Sequence, residues 1–507
     1  MKTRIIYIAL LSGILFTTCG KEFLERDPLV GSTEVNFYQT PEDAEAATIA
    51  CYNPLQQEVT NIQGTSQLAP HFRWYFGDIC SDDSFKGGSG DGDEPELFQF
   101  ENFQGSASSK LVLGEWQAAY RAIAYCNISL DKIPAIEMDE EIKARYIAEA
   151  KFIRAYSYFT LVTMFGGVPI VTEPLAPSEY QQGSATASEV WDLIIKDLNE
   201  ARADLPKKSE LSVSELGRAT WGAATGFLAK SYMFRGDFGN AFDYAEEVIN
   251  SLEYILDPNY ANIFTLAGEN GPGSIFEIQY MNASGGNWGN QLEGTFTNIF
   301  TRARGNFNGF GFNIPTQDFV DAFEAGDPRL SASVFQEGDV MGDRGVFTLD
   351  ATGFPHLYYA KKSFSNAADD APFGDNAPNG ASNDRVLRYA DVLLIAAESA
   401  YHNNDELSAR NYVNEVRERA RGGNNSVLPD IAPFVTGENL LDAIHNERRV
   451  ELGLEGHRFF DLARRGELVE TMSNLGFTSV SDNNALFPIP TAEITLSGGL
   501  ITQNPGY

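Results

Sequence analysis

Along most of the chain apolar residues return at spacings of three and four, the mark of helices that bury one face. Thr40 followed by Pro41, with Asp43 beyond, marks a capped start with proline in the first turn, and Ala44, Ala47, Ala50 and Cys51 follow at helical spacing. From Lys110 to Ile133 the stripe is Leu113, Trp116, Ala119, Tyr120, Ile123 and Ile128. Asp139 opens the next helix, in which Ile142, Tyr146, Ala150, Ile153 and Ser157 recur as far as the break at Gly166 and Gly167. Thr186 and Glu189 make a capping box ahead of Val190 to Leu198. The same reading predicts helices over 220–234, 238–250, 388–402, 406–420, 438–454 and 459–472.

Ala229, Tyr232, Gly236, Asp237, Phe238 and Ala241 have the small-residue, turn and small-residue order of a tetratricopeptide helix pair. Ala397, Ala400 and Ala409 repeat it, although the second copy lacks the turn glycine. Small residues let antiparallel helices approach closely and stack on the next pair. Residues 256–384 behave differently. They hold 17 of the 46 glycines and 14 of the 35 phenylalanines without a sustained helical period, so this stretch reads as loops on a scaffold. The expected fold is mainly α: tetratricopeptide-like repeats over 40–255 and 385–507, with a loop-rich variable ligand-binding part at 256–384 carrying few short strands.

Composition places 507 residues in the globular class, with 43% hydrophobic and 21% charged. A formal net charge of -33 leaves no footprint for phosphate backbones and repels anionic headgroups, so nucleic acid is excluded as an expected partner. Membrane attachment has to come from the N-terminus. Lys2 and Arg4 precede an apolar run from Ile5 to Phe16, too short for the roughly 20 residues of a span, and Cys19 follows. This resembles a bacterial lipoprotein signal: 1–18 as signal peptide, Cys19 acylated with palmitate-type chains, and 19–39 as a tether. The alternative is an ordinary signal peptidase that leaves Cys19 a free thiol. Cys51, Cys80 and Cys126 match no zinc spacing; Cys51 and Cys126 read as small buried residues, and a Cys51–Cys80 bridge stays open.

Several blocks together resemble the SusD/RagB family of nutrient-binding outer-membrane lipoproteins. They are Cys19 to Glu25; Trp116, Tyr120, Ile123, Cys126 and Asn127; Glu149 to Tyr156 with Phe165-Gly166-Gly167-Val168-Pro169; Gly217 to Thr220; and Arg388 to Leu394. To these add Asn446-Glu447-Arg448-Arg449 with Gly456 to Leu462, Leu486 to Pro490, and Gln503 to Tyr507. The resemblance implies a surface-exposed lipoprotein of the outer membrane that binds nutrient oligosaccharides and passes them to a TonB-dependent, SusC-like β-barrel transporter. Peptide uptake on the same scaffold, or a surface glycoside hydrolase, are the alternatives. Glu447, Arg448, Arg449 and Arg458 are expected to lock repeats together rather than to catalyse.

No enzyme signature is present. The five histidines are isolated, and neither a Gly-x-Ser-x-Gly elbow nor a phosphate loop occurs. Asp82 and Asp83 with Asp91, Asp93, Glu94 and Glu96 could hold calcium, but their spacing is not that of an EF-hand, so a solvated acidic loop and no cofactor are expected. A sugar binder needs flat aromatic faces and a few hydrogen-bonding groups. Trp116, Trp191 and Trp221 lie in helical stripes, which leaves Trp74 and Trp288. Trp288, beside Asn287 in a Gly-rich run, is the first choice for a stacking platform; Arg302, Arg304, Phe307 and Phe310 follow, and Phe85 is a further candidate. For each, an aromatic pinning its own loop is the competing reading.

Overall fold

Helix starts are set by side chains that satisfy the first free N–H groups. The computed structural model describes residues 37–56, 58–61, 68–70, 72–282, 293–370 and 379–507. Among them nine helices have 13 residues or more: α1 (Pro41–Gln56), α2 (Lys110–Lys132), α3 (Glu140–Phe165), α4 (Ala187–Arg202), α5 (Trp221–Phe234), α6 (Phe238–Asn250), α7 (Tyr389–His402), α8 (Glu406–Arg421) and α9 (Glu438–Leu452). The Thr40 hydroxyl accepts from Asp43 N–H while the Asp43 carboxylate accepts from Thr40 N–H. Thr186 and Glu189 exchange the same reciprocal bonds at α4, and Asp139, Thr220, Asp237 and Asp405 cap α3, α5, α6 and α8. The predicted helix over 459–472 is two, Arg458–Arg465 and Leu468–Asn474, because Gly466 adopts φ +71° and turns the chain between them.

Each long helix packs on the next, and α6 packs directly on α7, so the excursion between them does not interrupt the stack. The repeat alanines sit at these contacts: Ala229, Ala241, Ala397, Ala400 and Ala409 are all buried. Among the described residues eight short strands form four antiparallel pairs: β1 (Val59–Asn61) with β2 (Leu68–Pro70), β3 (Ser84–Gly87) with β5 (Phe312–Pro315), β4 (Ser274–Ile278) with β8 (Asp384–Arg388), and β6 (Val334–Gln336) with β7 (Tyr358–Ala360). Between α6 and α7 no described helix exceeds six residues, the length of Pro328–Ser333. This is the mainly α fold with few short strands that the sequence predicts. No helix among the described residues is long and apolar enough to cross a membrane.

The main core runs through the repeats, with Trp116 buried against Phe165, while Phe307, Phe335, Phe347 and Tyr359 form a separate small core inside the excursion. Cys51, Cys80 and Cys126 are free and buried, so the Cys51–Cys80 bridge does not form. The short helix Arg73–Gly77 reaches the repeats at Gly456: a Cβ on Gly77 would lie 2.2 Å from the Gly456 carbonyl oxygen, so this approach requires glycine.

Ion pairs bind the parts together. Arg329, from the excursion and fully buried, bonds Asp327, Glu447 and Glu451. Glu451 also receives Arg388 at 2.9 Å and Arg419 at 2.5 Å, while Arg448 bridges Asp391 and Asp461. Arg449 and Arg458 hold Asp83 and Asp82 at 2.6 and 2.7 Å. The expectation of a solvated Asp82–Asp83 loop is therefore corrected, because both carboxylates are buried and paired with arginine. Glu447, paired with Arg417 of α8, and Arg448, paired with Asp391 of α7, lock neighbouring helices as expected, whereas Arg449 and Arg458 instead pin the Asp82–Asp83 loop to the end of the stack.

Burial pushes the Asp391, Glu398, Glu451 and Asp461 carboxyls up, but the guanidinium and ammonium groups around them outweigh it and hold all four below the usual range. Groups with depressed folded pKa values stabilise the fold above their unfolded pKa and lose that contribution as pH falls. Thermal melting should therefore drop steeply below about pH 4. At neutral pH, Arg329→Ala should cost roughly 3–5 kcal/mol by stranding buried carboxylates, as measured by denaturant unfolding.

Candidate functional site

Where the excursion meets the first repeats, a cavity of about 140 Å³ opens between the end of α1, the middle of α2 and α3, the Arg73–Gly77 helix and residues 295–301 and 382–385. Phe72, Trp74, Tyr156 and Tyr280 supply aromatic surface, and Glu58, Arg73, Glu115, Asn383 and Asp384 supply polar groups. Arg73 donates to Asp384 at 2.6 Å and to the Glu455 carbonyl at 3.0 Å. The Glu58 carboxyl accepts from Thr295 Oγ1 and Phe296 N–H, each at 2.5 Å, and from Thr297 Oγ1 at 3.3 Å. Burial pushes Glu58 up to about 8, against the pull of those donors.

Glu115, on the first turns of α2, is buried, and among the described residues no arginine lies in hydrogen-bond range; one oxygen accepts from Phe72 N–H, and Oε1 has no partner among the described residues. Burial pushes this carboxyl to about 8 as well. With Arg73, Tyr156 and Thr160 it also lines a second cavity of about 70 Å³, which reaches Lys230 and His457 between the repeats.

The arrangement suits holding a ligand better than acid–base work. A glycosidase needs one carboxylic acid free to protonate the leaving oxygen and one free carboxylate opposite. Glu115 is a carboxylic acid with one oxygen open, but it faces no free carboxylate among the described residues of this wall: Asp384 is committed to Arg73, and both Glu58 oxygens already accept from fixed donors.

Of the residues singled out from sequence, Trp74 lines the cavity. It is 6% exposed, its indole N–H points to Thr297 Oγ1 at 3.4 Å, and Phe72 and Tyr75 pack on it at ring distances of 5.4 and 4.5 Å. Trp288 and Asn287 lie outside the described residues, as does Cys19. Phe85 is half-buried against the excursion core and His356. Arg302 is buried and bonded to Asp370 and the Asn308 carbonyl; Arg304 pairs with Asp93 and stacks over Phe354. Phe307 is fully inside the excursion core, and Phe310 packs edge-on against Phe300. The described candidates thus do not converge on one surface. Sequence reasoning missed Glu58, Arg73, Glu115, Tyr280 and Asp384, and the aromatic run Phe72-Arg73-Trp74-Tyr75-Phe76 was the signal available.

The Asp91–Glu96 loop already contains a cation. Lys86 Nζ donates to the Gly90 and Asp93 carbonyls at 2.8 and 2.6 Å. Among the described residues no cluster of His, Cys, Asp and Glu is arranged to hold a metal.

A stack of helix pairs carrying a loop-rich excursion, with an aromatic and polar cavity at their junction, defines a binding protein built on a repeat scaffold. The chain belongs to the SusD family. The SusD family model matches residues 272–507, and a related model described as starch-binding and associating with the outer membrane matches 97–233. The SusD-like protein P2 of Formosa agariphila is 30% identical over the whole of both chains, and the starch-binding protein SusD of Bacteroides thetaiotaomicron is 25% identical over 76% of each. Among solved structures, a laminarin-binding SusD-like protein superposes with TM-score 0.79 at 30% identity, covering 93% of this chain and all of its own. Surface glycan-binding protein A from Bacteroides fluxus gives 0.77 at 26%, covering 92% of this chain and all of its own.

A carboxyl whose folded pKa exceeds its unfolded value favours the fold at low pH and loses that advantage as pH rises. For Glu115 the window runs from the ordinary 4.5 to about 8. Glu115→Gln keeps an acceptor for Phe72 N–H and removes the titration. Its melting temperature should fall less than that of the wild type across this window, and it should be the more stable protein at the alkaline end.

Proposed function

We propose that this chain is a non-catalytic surface lipoprotein that binds nutrient oligosaccharides at the cavity and the loop-rich face around it, and delivers them to a TonB-dependent transporter. The observation that carries the reading is the cavity wall, where aromatic rings alternate with hydrogen-bonding groups and the charges are mostly cancelled in pairs. Sugar rings need such a wall: C–H faces lie on aromatic surface while hydroxyls meet fixed polar atoms. The likeness to a laminarin-binding protein and a surface glycan-binding protein supports the same ligand class.

Size sets how the ligand would sit. About 140 Å³ is below the 300–1,000 Å³ of sites that enclose a whole drug-sized ligand. The cavity would therefore hold one end of a chain, with the rest lying outside. Tyr280 and Thr295, both on the wall, flank in sequence the segment that bears Asn287 and Trp288, which keeps Trp288 the first choice for an outer stacking platform. The lipid on Cys19 supplies the attachment that the acidic surface cannot.

Trp288→Ala should weaken glycan binding by about 2 kcal/mol or more, roughly 30-fold, with little change in melting. Trp116→Ala should do the reverse, costing roughly 3–5 kcal/mol of stability. Calorimetry against an array-identified glycan, with melting curves on both variants, checks the pair; binding of peptides instead of glycans, or turnover of the glycan, would overturn the reading. Cys19→Ala should convert the membrane-bound protein into a released, folded one, read by fractionation and by the mass of the mature N-terminus.

A further inference from the structure

Beyond the cavity lies a larger depression. A groove of about 450 Å³ runs between the one-turn helix Leu266–Gly268, the loop after β6 and residues 361–369. Phe264 and Ser382 belong to the walls of both groove and cavity, so the two are adjacent. The Phe264 ring is fixed between them, with Lys362 Nζ 4.8 Å and the Arg388 guanidinium 5.7 Å from its centre.

The groove differs from an ordinary surface dip in what it leaves uncommitted. Leu266 is exposed and Phe364 half-buried, and together they offer apolar surface. Lys361 uses one ammonium proton on the Ser331 carbonyl at 2.8 Å and rests over the Phe335 ring, which leaves two protons for a ligand. Asp369 accepts from Asn366 through Oδ2, and its Oδ1 has no bond among the described residues. One cation and one carboxylate balance, so an uncharged ligand fits better than a charged one. A neutral ligand carrying both hydroxyl donors and hydroxyl acceptors matches this pair.

We infer that the groove is an outer subsite of the same ligand site, taking further rings of a neutral oligosaccharide whose end occupies the cavity. Phe364 and Leu266 lie under C–H faces, Asp369 Oδ1 accepts from one hydroxyl and Lys361 donates to another. The inference rests on the oligosaccharide reading above and adds a property that reading does not require: affinity grows with chain length, and the gain resides in the groove.

Short and long members of the laminari-, cello- and malto-oligosaccharide series, titrated calorimetrically against the full-length protein, test it. The wild type should bind the long member of its preferred series more tightly than the short one. Leu266→Asp, at an exposed position that folding does not need, and Phe364→Ala should each lower affinity for the long member by about tenfold, a loss of 1.4 kcal/mol, and leave the short member unchanged. If Leu266→Asp keeps the long-chain gain, or weakens short and long members equally, the subsite is overturned while oligosaccharide binding stands. If the wild type binds no member of any series, the oligosaccharide reading itself falls and the subsite with it.

Discussion

The last long helix of the stack, α9, organises everything around it through buried charge. Glu447 and Glu451 stand one turn apart on α9 and receive Arg329 and Arg417, and Arg329, Arg388 and Arg419, respectively. Arg448, on another face of α9, takes Asp391 of α7 and Asp461. Each of these groups would be expensive to bury alone, and the pairing repays that cost only when every partner is in place. The network is therefore a geometric requirement: the excursion, α7, α8 and the chain after α9 must all arrive at α9 together.

That requirement explains how a loop-rich segment can carry a defined cavity. Arg329 and Lys362 come from the excursion, and Lys362 bonds Glu455 at 2.7 Å directly beyond α9. Asp384 and Arg388 sit at the two ends of β8, so one strand places a carboxylate in the cavity and a guanidinium in the network. On the other side, Asp78 accepts from Gly456 N–H at 2.7 Å, and the Gly77–Gly456 contact brings Arg73 and Trp74 to the cavity wall. The wall is thus assembled from residues far apart in sequence whose positions are all referred to the same few ionic contacts.

The helices were legible from sequence because caps and apolar spacing are local. Phe238–Asn250 is found at its predicted bounds, and the reciprocal cap at Thr186 and Glu189 is present as read. The break at Gly466 was not legible, since a single glycine inside a helical period is tolerated in most helices. The cavity was least legible. Trp74 stood out as an aromatic without a helical stripe, but Glu58, Glu115 and Asp384 are ordinary acids among 70, and only folding separates them from the rest. Asp82 and Asp83 show the same limit: a pair of adjacent acids looks solvated until Arg449 and Arg458, more than 360 positions away, are seen against them.

The pairing of β4 with β8 brings the chain back almost to where it left the helical stack, while α6 and α7 pack on each other as though nothing lay between them. The entropy of closing such a loop grows only with the logarithm of its length. Insertions and deletions inside the excursion are therefore nearly free for the helices, provided that its arginine and lysine anchors survive. The fold separates what must be inherited intact from what can drift: the excursion's share of the cavity wall can change while the share carried by the helices and the Arg73–Gly77 segment stays in place.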